Sequence, residues 1–404
     1  MLIQFTFKNF KSFRDENTLF MTATDTNDIC ELYSRVGQYK LLPVTGIFGA
    51  NASGKSNVLE AFEYMHNYII NSYNIFAEKT EFATDFSQKP FILDDTSENT
   101  PSFFEAEYID KKDKYKTYRY GFTILKNTVI EEWLKYKSKT GKDYKTIFKR
   151  TNTKDIDLSG IKKEHQNNIN IAIKPQVLIL SIGAILNVPE LLNVYYWFIR
   201  NKFINFSEYK LTNTNIIFNL LQTEDYKKSL LKYISSFDSS IIGIEADKDS
   251  KEIYTVHKKA GSEETVRFLY NMESAGTKKM IDLHIKFKNV LDSGNVLYID
   301  ELNAKLHPLL MRNILILFYN KETNPNNAQL IFTSHDAWMI NNKSLRNDEI
   351  WFTEKDSNGI SSLYSLDEFK VSDNPDIDFE KYYLVGKFGA IPDLKPIHLT
   401  EDKQ

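Results

Sequence analysis

One cysteine, Cys30, stands in 404 residues. A lone thiol makes no internal disulfide, which excludes a disulfide-stapled scaffold and fits a reducing compartment. No His/Asn pairing pattern accompanies Cys30, so it is not read as a nucleophile. Charge of one sign is missing too. The formal net charge is -3, too small for a protein that coats nucleic acid over its whole surface, although a sum hides how charge is distributed. Long hydrophobic runs are absent. The most apolar stretch, Val177 to Val188, is too short to span a bilayer and follows Lys174-Pro175. The opening Met1-Leu-Ile-Gln-Phe-Thr-Phe-Lys8 reads as a strand, not as a basic segment followed by an apolar one. These absences set the expectation of a cytoplasmic chain with no membrane among its partners. Fixed-period repeats and low-complexity segments are also lacking.

What is present is ordinary for a globular chain: 42% hydrophobic and 26% charged residues. The length suffices for two or three domains' worth of core. Residues 2–7 alternate like a half-buried strand. Phe7-Lys-Asn-Phe-Lys-Ser-Phe13 and a turn at Arg14 to Glu16 lead to a second strand, Asn17 to Thr22. Phe103 to Ile109, Tyr115 to Leu125, Val129 to Tyr136 and Tyr144 to Phe148, separated by short polar turns, predict an antiparallel meander. Leu230, Leu231, Ile234 and Phe237 share one helical face, and Pro189 to Phe206 also shows helical spacing. Ile241 to Ala246 and Glu252 to Lys258 predict a hairpin. The expected division is 1–150 as a β hairpin, glycine-rich loop and antiparallel part, 151–250 as a mainly helical insertion, and 251–404 as a C-terminal part. The expected fold class is α/β with α+β lobes.

The sharpest feature is Gly49-Ala-Asn-Ala-Ser-Gly-Lys-Ser56, between a strand-like run, Leu41 to Phe48, and a helix-like run from Asn57 toward Phe76. This is the phosphate-loop pattern in the strand–loop–helix setting it requires. Glycines let successive backbone N–H groups turn toward one phosphate chain, and the helix adds its positive N-terminus. Gly49, Ala50, Asn51, Ala52, Ser53, Gly54, Lys55, Ser56 and Asn57 are therefore candidates for holding ATP. Lys55 supplies a charge to the β- and γ-phosphates, and the Ser56 hydroxyl is a ligand for Mg²⁺.

Four short motifs follow after residue 270. Glu273-Ser274-Ala275-Gly276 precedes a helix-like run, Lys279 to Val290, and makes a second anion-binding N-terminus. Asn295-Val-Leu-Tyr-Ile-Asp300-Glu301 is a buried-strand run ending in two acids: Asp300 to hold Mg²⁺, Glu301 to take a proton from attacking water. Leu302-Asn303-Ala-Lys-Leu306-His307-Pro308 comes next. Gln329-Leu-Ile-Phe-Thr-Ser-His335 is another apolar strand ending in a histidine. Phosphoryl transfer needs a phosphate cradle, Mg²⁺, a water-orienting base and a γ-phosphate sensor, and these motifs offer each in one order.

Together these residues resemble ABC-type ATPase heads. Gly49 to Ser56, Ser274 with Gly276, Asp300-Glu301, Asn303 and His335 look like Walker A, signature, Walker B, D-loop and H-loop. The N-terminal Phe-rich hairpin resembles the soluble RecF/SMC-like branch. Missing a/d heptads disfavour a long-armed chromosome-maintenance ATPase. Leu306-His307-Pro308 and Tyr383-Leu-Val-Gly386-Lys-Phe-Gly389-Ala-Ile-Pro392 resemble single-chain ATPases of bacterial phage-defence and abortive-infection operons, relatives of the OLD family without a fused Toprim nuclease. Asp376-Ile-Asp378 reads as solvated loop acids. The signature departs from the family in having Glu273-Ser274 where Leu-Ser is usual. Gln88 is the candidate Q-loop residue and metal ligand. The resemblance implies a head-to-head dimer or higher oligomer closing around ATP, with Glu301, His335 and Lys55 as catalytic residues. It also implies a separately encoded effector, a Toprim or HNH nuclease, and leaves nucleic acid open as a partner. A RecF-like repair ATPase that clamps DNA is the alternative.

Overall fold

The computed structural model describes residues 1–24, 33–78, 87–152, 155–206, 211–304, 306–341, 344–369 and 378–392. Cys30 and Asp376 lie outside them. Two sheets face each other across the helix Lys55–Glu78. One has the order 202–205, 296–300, 329–333, 44–48, 350–355, 361–365. All of its pairings are parallel except the last. Val44–Phe48 and Gln329–Thr333 are buried at every position, as strands covered on both faces must be, hence their unbroken apolar runs. The other sheet is an antiparallel array of seven strands, running from Ile156–Asp157 through the meander to Leu2–Lys8 and Asn17–Phe20.

The phosphate-loop helix binds these sheets into one core. Its Phe62 ring lies 4.7 Å from Phe5 of the antiparallel sheet and 4.6 Å from Tyr298 of the parallel sheet. Leu59, Met65 and Tyr68 extend the contact along the same helix. Helices Ala275–Ser293 and Pro308–Tyr319 cover the opposite face of the parallel sheet, burying Phe287, Val290, Ile314 and Phe318 in a second core.

Residues 151–250, expected as one helical insertion, contribute to three places. Lys163–Ala172, Ile179–Ile185 and Pro189–Arg200 pack into the first core beside the phosphate-loop helix. Lys202–Asn205 becomes the edge strand of the parallel sheet. Thr214–Leu220 and Glu224–Ile234 join the predicted hairpin, Ile241–Asp247 and Glu252–Lys258, which gains a third strand, Thr265–Leu269. Helical spacing foretold Pro189–Arg200 and Glu224–Ile234, but the expected helical stretch to Phe206 ends in a strand at 202–205 that only long-range pairing reveals. Among the described residues no single helix is long and apolar enough to cross a membrane. One pair, Ile179–Ile185 with Pro189–Arg200, passes on length and composition alone but is bent by 105°, and Ile179, Leu180, Ile182, Leu191, Val194 and Phe198 are buried in the core.

A buried carboxylate ties the middle helices to the meander. Glu132 accepts the backbone N–H groups of Ile179 at 2.7 Å and Leu180 at 3.1 Å, and the Tyr120 hydroxyl at 3.0 Å. It therefore caps the helix Ile179–Ile185 from outside, where no local side chain does so. Its cross-strand partner Arg150 donates to the Val177 carbonyl at 3.1 Å. Burial pushes the Glu132 carboxyl up from 4.5 to about 7, against the pull of those N–H groups and of Arg150. The folded state thus binds this proton more tightly than the unfolded chain, and the stability contributed here falls as pH rises through that window. Urea denaturation should show Glu132→Gln with a flatter stability profile between pH 5 and 7 than the wild type. Glu132→Ala should lose about 3 kcal/mol through orphaned helix N–H groups and an unpaired Arg150.

Candidate functional site

Parallel strands end at one edge of their sheet, and that edge is where such folds bind ligands. Here it collects the turn after Phe48, Asp300 at the end of Val296–Asp300, and Thr333 at the end of Gln329–Thr333. The loop after Phe48 depends on two glycines. Gly49 has φ of 150° and Gly54 φ of 116°. A Cβ at Gly49 would sit 2.4 Å from the Thr353 carbonyl oxygen, and one at Gly54 would sit 2.8 Å from Ser361 Oγ. The strands Ile350–Lys355 and Ser361–Ser365 press directly on the loop and shape it. Ser53 Oγ meets Thr353 Oγ1 at 2.6 Å, and Ser361 Oγ donates to the Ser53 carbonyl at 2.7 Å. Asn57, a nucleotide-binding candidate, donates to Ser12 Oγ at 2.8 Å and ties the helix start to the N-terminal hairpin.

Lys55 is only 9% exposed. Its ammonium donates back to the Gly49 carbonyl at 2.9 Å and the Ala50 carbonyl at 2.8 Å, so it lies across the mouth of its own loop. Burial holds its pKa below the usual lysine value, while Asp300 and Glu301 pull the other way. Ser56 Oγ donates to Asp300 Oδ1 at 3.1 Å. Thr333 Oγ1 donates to the same oxygen at 2.5 Å and accepts the Glu301 N–H at 2.8 Å. Glu301 has φ of 55°, a left-handed conformation that costs on the order of 1 kcal/mol for a residue with a Cβ. It turns the chain from the strand end into the segment carrying Asn303. Asn303 Nδ2 lies 3.0 Å from His335 Nε2, while its Oδ1 is buried and has no hydrogen-bond partner among the described residues.

The structure thus brings together Gly49 to Ser56, Asp300, Glu301, Asn303 and His335. Ser274 and Gly276 are elsewhere: among the described residues no hydrogen bond joins them to the phosphate loop. Ser274 caps the helix Ala275–Ser293, its Oγ accepting the Thr277 N–H at 3.0 Å. The residue before it, Glu273, is held by His257 Nε2 at 2.8 Å. Lys279 of the same helix donates to the Ala304 carbonyl at 3.0 Å, so the signature helix also fixes the segment after Asn303.

Gln88 does not join the metal candidates. Its amide nitrogen donates to the Thr100 carbonyl at 2.8 Å and Ser102 Oγ at 3.1 Å, and its oxygen accepts the Lys126 N–H at 2.8 Å. Every arm of that side chain is spent on loop closure. Sequence reasoning missed Thr333, Thr353 and Ser361. Thr333, two residues before His335 at the end of an apolar strand, carried a readable signal; the other two reach the loop only through strand pairing. Lys11 and Glu63 were also missed. Burial lowers the Lys11 pKa and raises that of Glu63, and both feel Asp300.

The donor set suits a hydrated divalent cation shared with a phosphate chain. Mg²⁺ takes one or two carboxylate or hydroxyl ligands from a protein and completes its shell with water and phosphate oxygens. Ser56 and Asp300 converge in that manner, and no larger cluster of metal-ligating side chains occurs among the described residues.

A phosphate loop at the carboxyl edge of a parallel sheet, its helix roofed by an antiparallel lobe and two further helices on the far face, is the fold of an ABC-type ATPase head. The chain belongs to the family described as "AAA domain, putative AbiEii toxin, Type IV TA system", which matches residues 44–180 and 195–337. No curated protein matches it. Among solved structures it is similar to one described as "Structure of the recombination mediator protein RecF-ATP in RecFOR pathway", with 12% identity, a TM-score of 0.31, and coverage of 90% of this chain and 97% of that one.

Thr333→Val keeps the volume but leaves the Glu301 N–H without its acceptor and takes from Asp300 one of its two hydroxyl donors, Ser56 remaining. Urea denaturation should register a loss of about 1–3 kcal/mol, with the far-ultraviolet circular dichroism of the native state unchanged.

Proposed function

We propose that the protein hydrolyses ATP, with Mg²⁺, in composite sites formed by two copies of the chain. The observation that carries this is the isolation of the signature from its own phosphate loop. Ser274, Ala275 and Gly276 are exposed. A Cβ at Gly276 would meet nothing nearer than Ser274 Oγ at 3.7 Å, so no packing need within the chain calls for glycine there. A second copy supplying these residues gives the open helix N-terminus an anion and gives Gly276 a reason to lack a side chain.

Within that reading each residue has one task. The loop N–H groups and Lys55 take the β- and γ-phosphates, which requires the ammonium to release the Gly49 and Ala50 carbonyls. Ser56 and Asp300 hold Mg²⁺, which when bound neutralises charge on the phosphates. Glu301 orients the attacking water and accepts its proton. Asn303 sets the ring of His335 toward the γ-phosphate. ATP acts as a ligand that shifts monomers toward the closed dimer, and hydrolysis releases it.

We further propose that this cycle holds and releases a separately encoded effector, a Toprim or HNH nuclease, in antiphage defence. The family description, with its toxin and toxin–antitoxin wording, supports that setting, as does the C-terminal Tyr383 to Pro392 motif. The motif packs on the sheet edge, Tyr383 stacking on Phe352 at 5.5 Å, and leaves Leu384 and Val385 exposed. A nuclease gene beside this one, and co-purification of its product, would be the expected finding; replication genes in that place would favour repair.

Glu301→Gln should retain ATP affinity, lose at least about 100-fold in turnover, and accumulate an ATP-dependent dimer by light scattering; unchanged turnover would remove Glu301 as the base. Lys55→Ala should weaken ATP binding at least about tenfold by calorimetry. Gly276→Asp, in open space within the monomer, should bind ATP normally yet fail to dimerise or hydrolyse.

A further inference from the structure

The near-neutral net charge conceals a strongly basic region. The hairpin segment 33–41 and the turn segments 110–116 and 137–145 hold ten Lys and Arg residues against three Asp. The topology brings the three together. Both turns close hairpins at the same end of the antiparallel sheet, and the hairpin Ser34–Leu41 sits against the second, the Lys139 carbonyl lying 3.4 Å from where a Gly37 Cβ would be.

Compensation is partial. Asp113 is taken up by Lys116 at 3.1 Å and by the Tyr118 hydroxyl, and Lys137 lies 4.0 Å from Glu107. Lys112, Lys114, Lys142 and Lys145 are exposed and form no ion pair with any described residue. Aromatic rings lie among the cations: Lys139 lies over Tyr115 at 4.9 Å and Lys116 over Tyr136 at 5.2 Å. Lys114 and Tyr115 have φ of 52° and 58°, an unfavourable pair for residues with a Cβ, and Tyr115 remains partly exposed.

This end is not the phosphate site. Gln329, at the beginning of its strand, accepts the Leu2 N–H at 2.5 Å and donates to the Leu2 and Leu42 carbonyls, both at 3.0 Å. Lys111 donates to the Asn326 carbonyl in the turn before that strand. The basic end therefore borders the amino edge of the parallel sheet, whereas Phe48, Asp300 and Thr333 mark the carboxyl edge. The strands between are five residues long, on the order of 15 Å. A nucleotide at the phosphate loop does not account for these cations.

We propose that the basic end of the antiparallel lobe is a nucleic-acid docking surface that takes the phosphodiester backbone, with Lys112, Lys114, Lys139, Lys142 and Lys145 as phosphate contacts and Tyr115 as a stacking or sugar contact. Exposed lysines around the exposed Tyr115 on a turn-rich rim suit a repeating polyanion. The surface lies away from the edge on which ATP would join two copies, so it stays available in monomer and dimer alike, and it does not depend on turnover.

The test is fluorescence anisotropy of the full chain with labelled duplex DNA and duplex RNA of about 20 base pairs across a salt series. Binding should weaken steeply with salt. The triple variant Lys112→Glu, Lys114→Glu, Lys142→Glu should lose at least about tenfold in affinity and reduce the slope of log K against log salt by about 2–3. Its thermal unfolding should match the wild type. A control triple on other exposed lysines, Lys228→Glu, Lys232→Glu, Lys248→Glu, should bind as the wild type does, and so should Lys55→Ala. Binding of either duplex supports the assignment, and the tighter one names the source. Wild-type affinity in the first triple, equal losses in both triples, or competition by polyglutamate as effective as that of unlabelled duplex would overturn it.

Discussion

The placement of the phosphate-loop helix between two sheets is the constraint on which the rest depends. Phe62 touches Phe5 on one side and Tyr298 on the other, so helix and sheets share one close-packed interior. The first residue of that helix is Lys55 and the second Ser56. Their positions over Asp300 are therefore set by large aromatic contacts one to three turns further along, not by the loop alone. A loop with three positive-φ residues, Gly49, Ala52 and Gly54, has little conformational preference of its own. It keeps its shape because Thr353 and Ser361 close on it from the neighbouring strands.

Electrostatics at the carboxyl edge follow from the same packing. Asp300 collects hydroxyl donors from Ser56 and Thr333, which hold its carboxyl group in place. Lys55 rests on carbonyl oxygens of its own loop, a neutral harbour that stronger anionic acceptors can displace. The left-handed turn at Glu301 directs the chain away from the strand and hands position to Asn303 and His335. Strain of this kind persists where surrounding contacts over-determine it, here the two hydrogen bonds from the Glu301 and Leu302 N–H groups to Thr333.

The polar ends of the two sheets differ in kind. One edge gathers a few buried, mutually bonded groups suited to a single polyphosphate. The opposite end spreads exposed lysines over turns, where long-range attraction rather than shape dominates and salt screens it. A chain of near-zero net charge thus carries two anion-attracting regions of different design.

Much of this was legible in the sequence, for identifiable reasons. Gly49 to Ser56, Asp300-Glu301 and His335 are local patterns whose chemistry demands fixed residue types at fixed spacing. Apolar runs at 44–48, 296–300 and 329–333 announce strands buried on both faces, and alternation at 103–109 announces a sheet with one inner face. The division of the middle segment was not legible, because Lys202–Asn205 is a strand only by virtue of lying beside Val296–Asp300. Gln88 had the right residue type, yet hydrogen bonds from distant positions claim its side chain. Thr353 and Ser361 have no motif, and they matter because a strand some 300 residues from the loop runs alongside it. Local spacing therefore determined which groups could bind phosphate and Mg²⁺. Tertiary packing alone decided which of them meet, since hydrogen-bond reach is about 3 Å and sequence distance does not measure it.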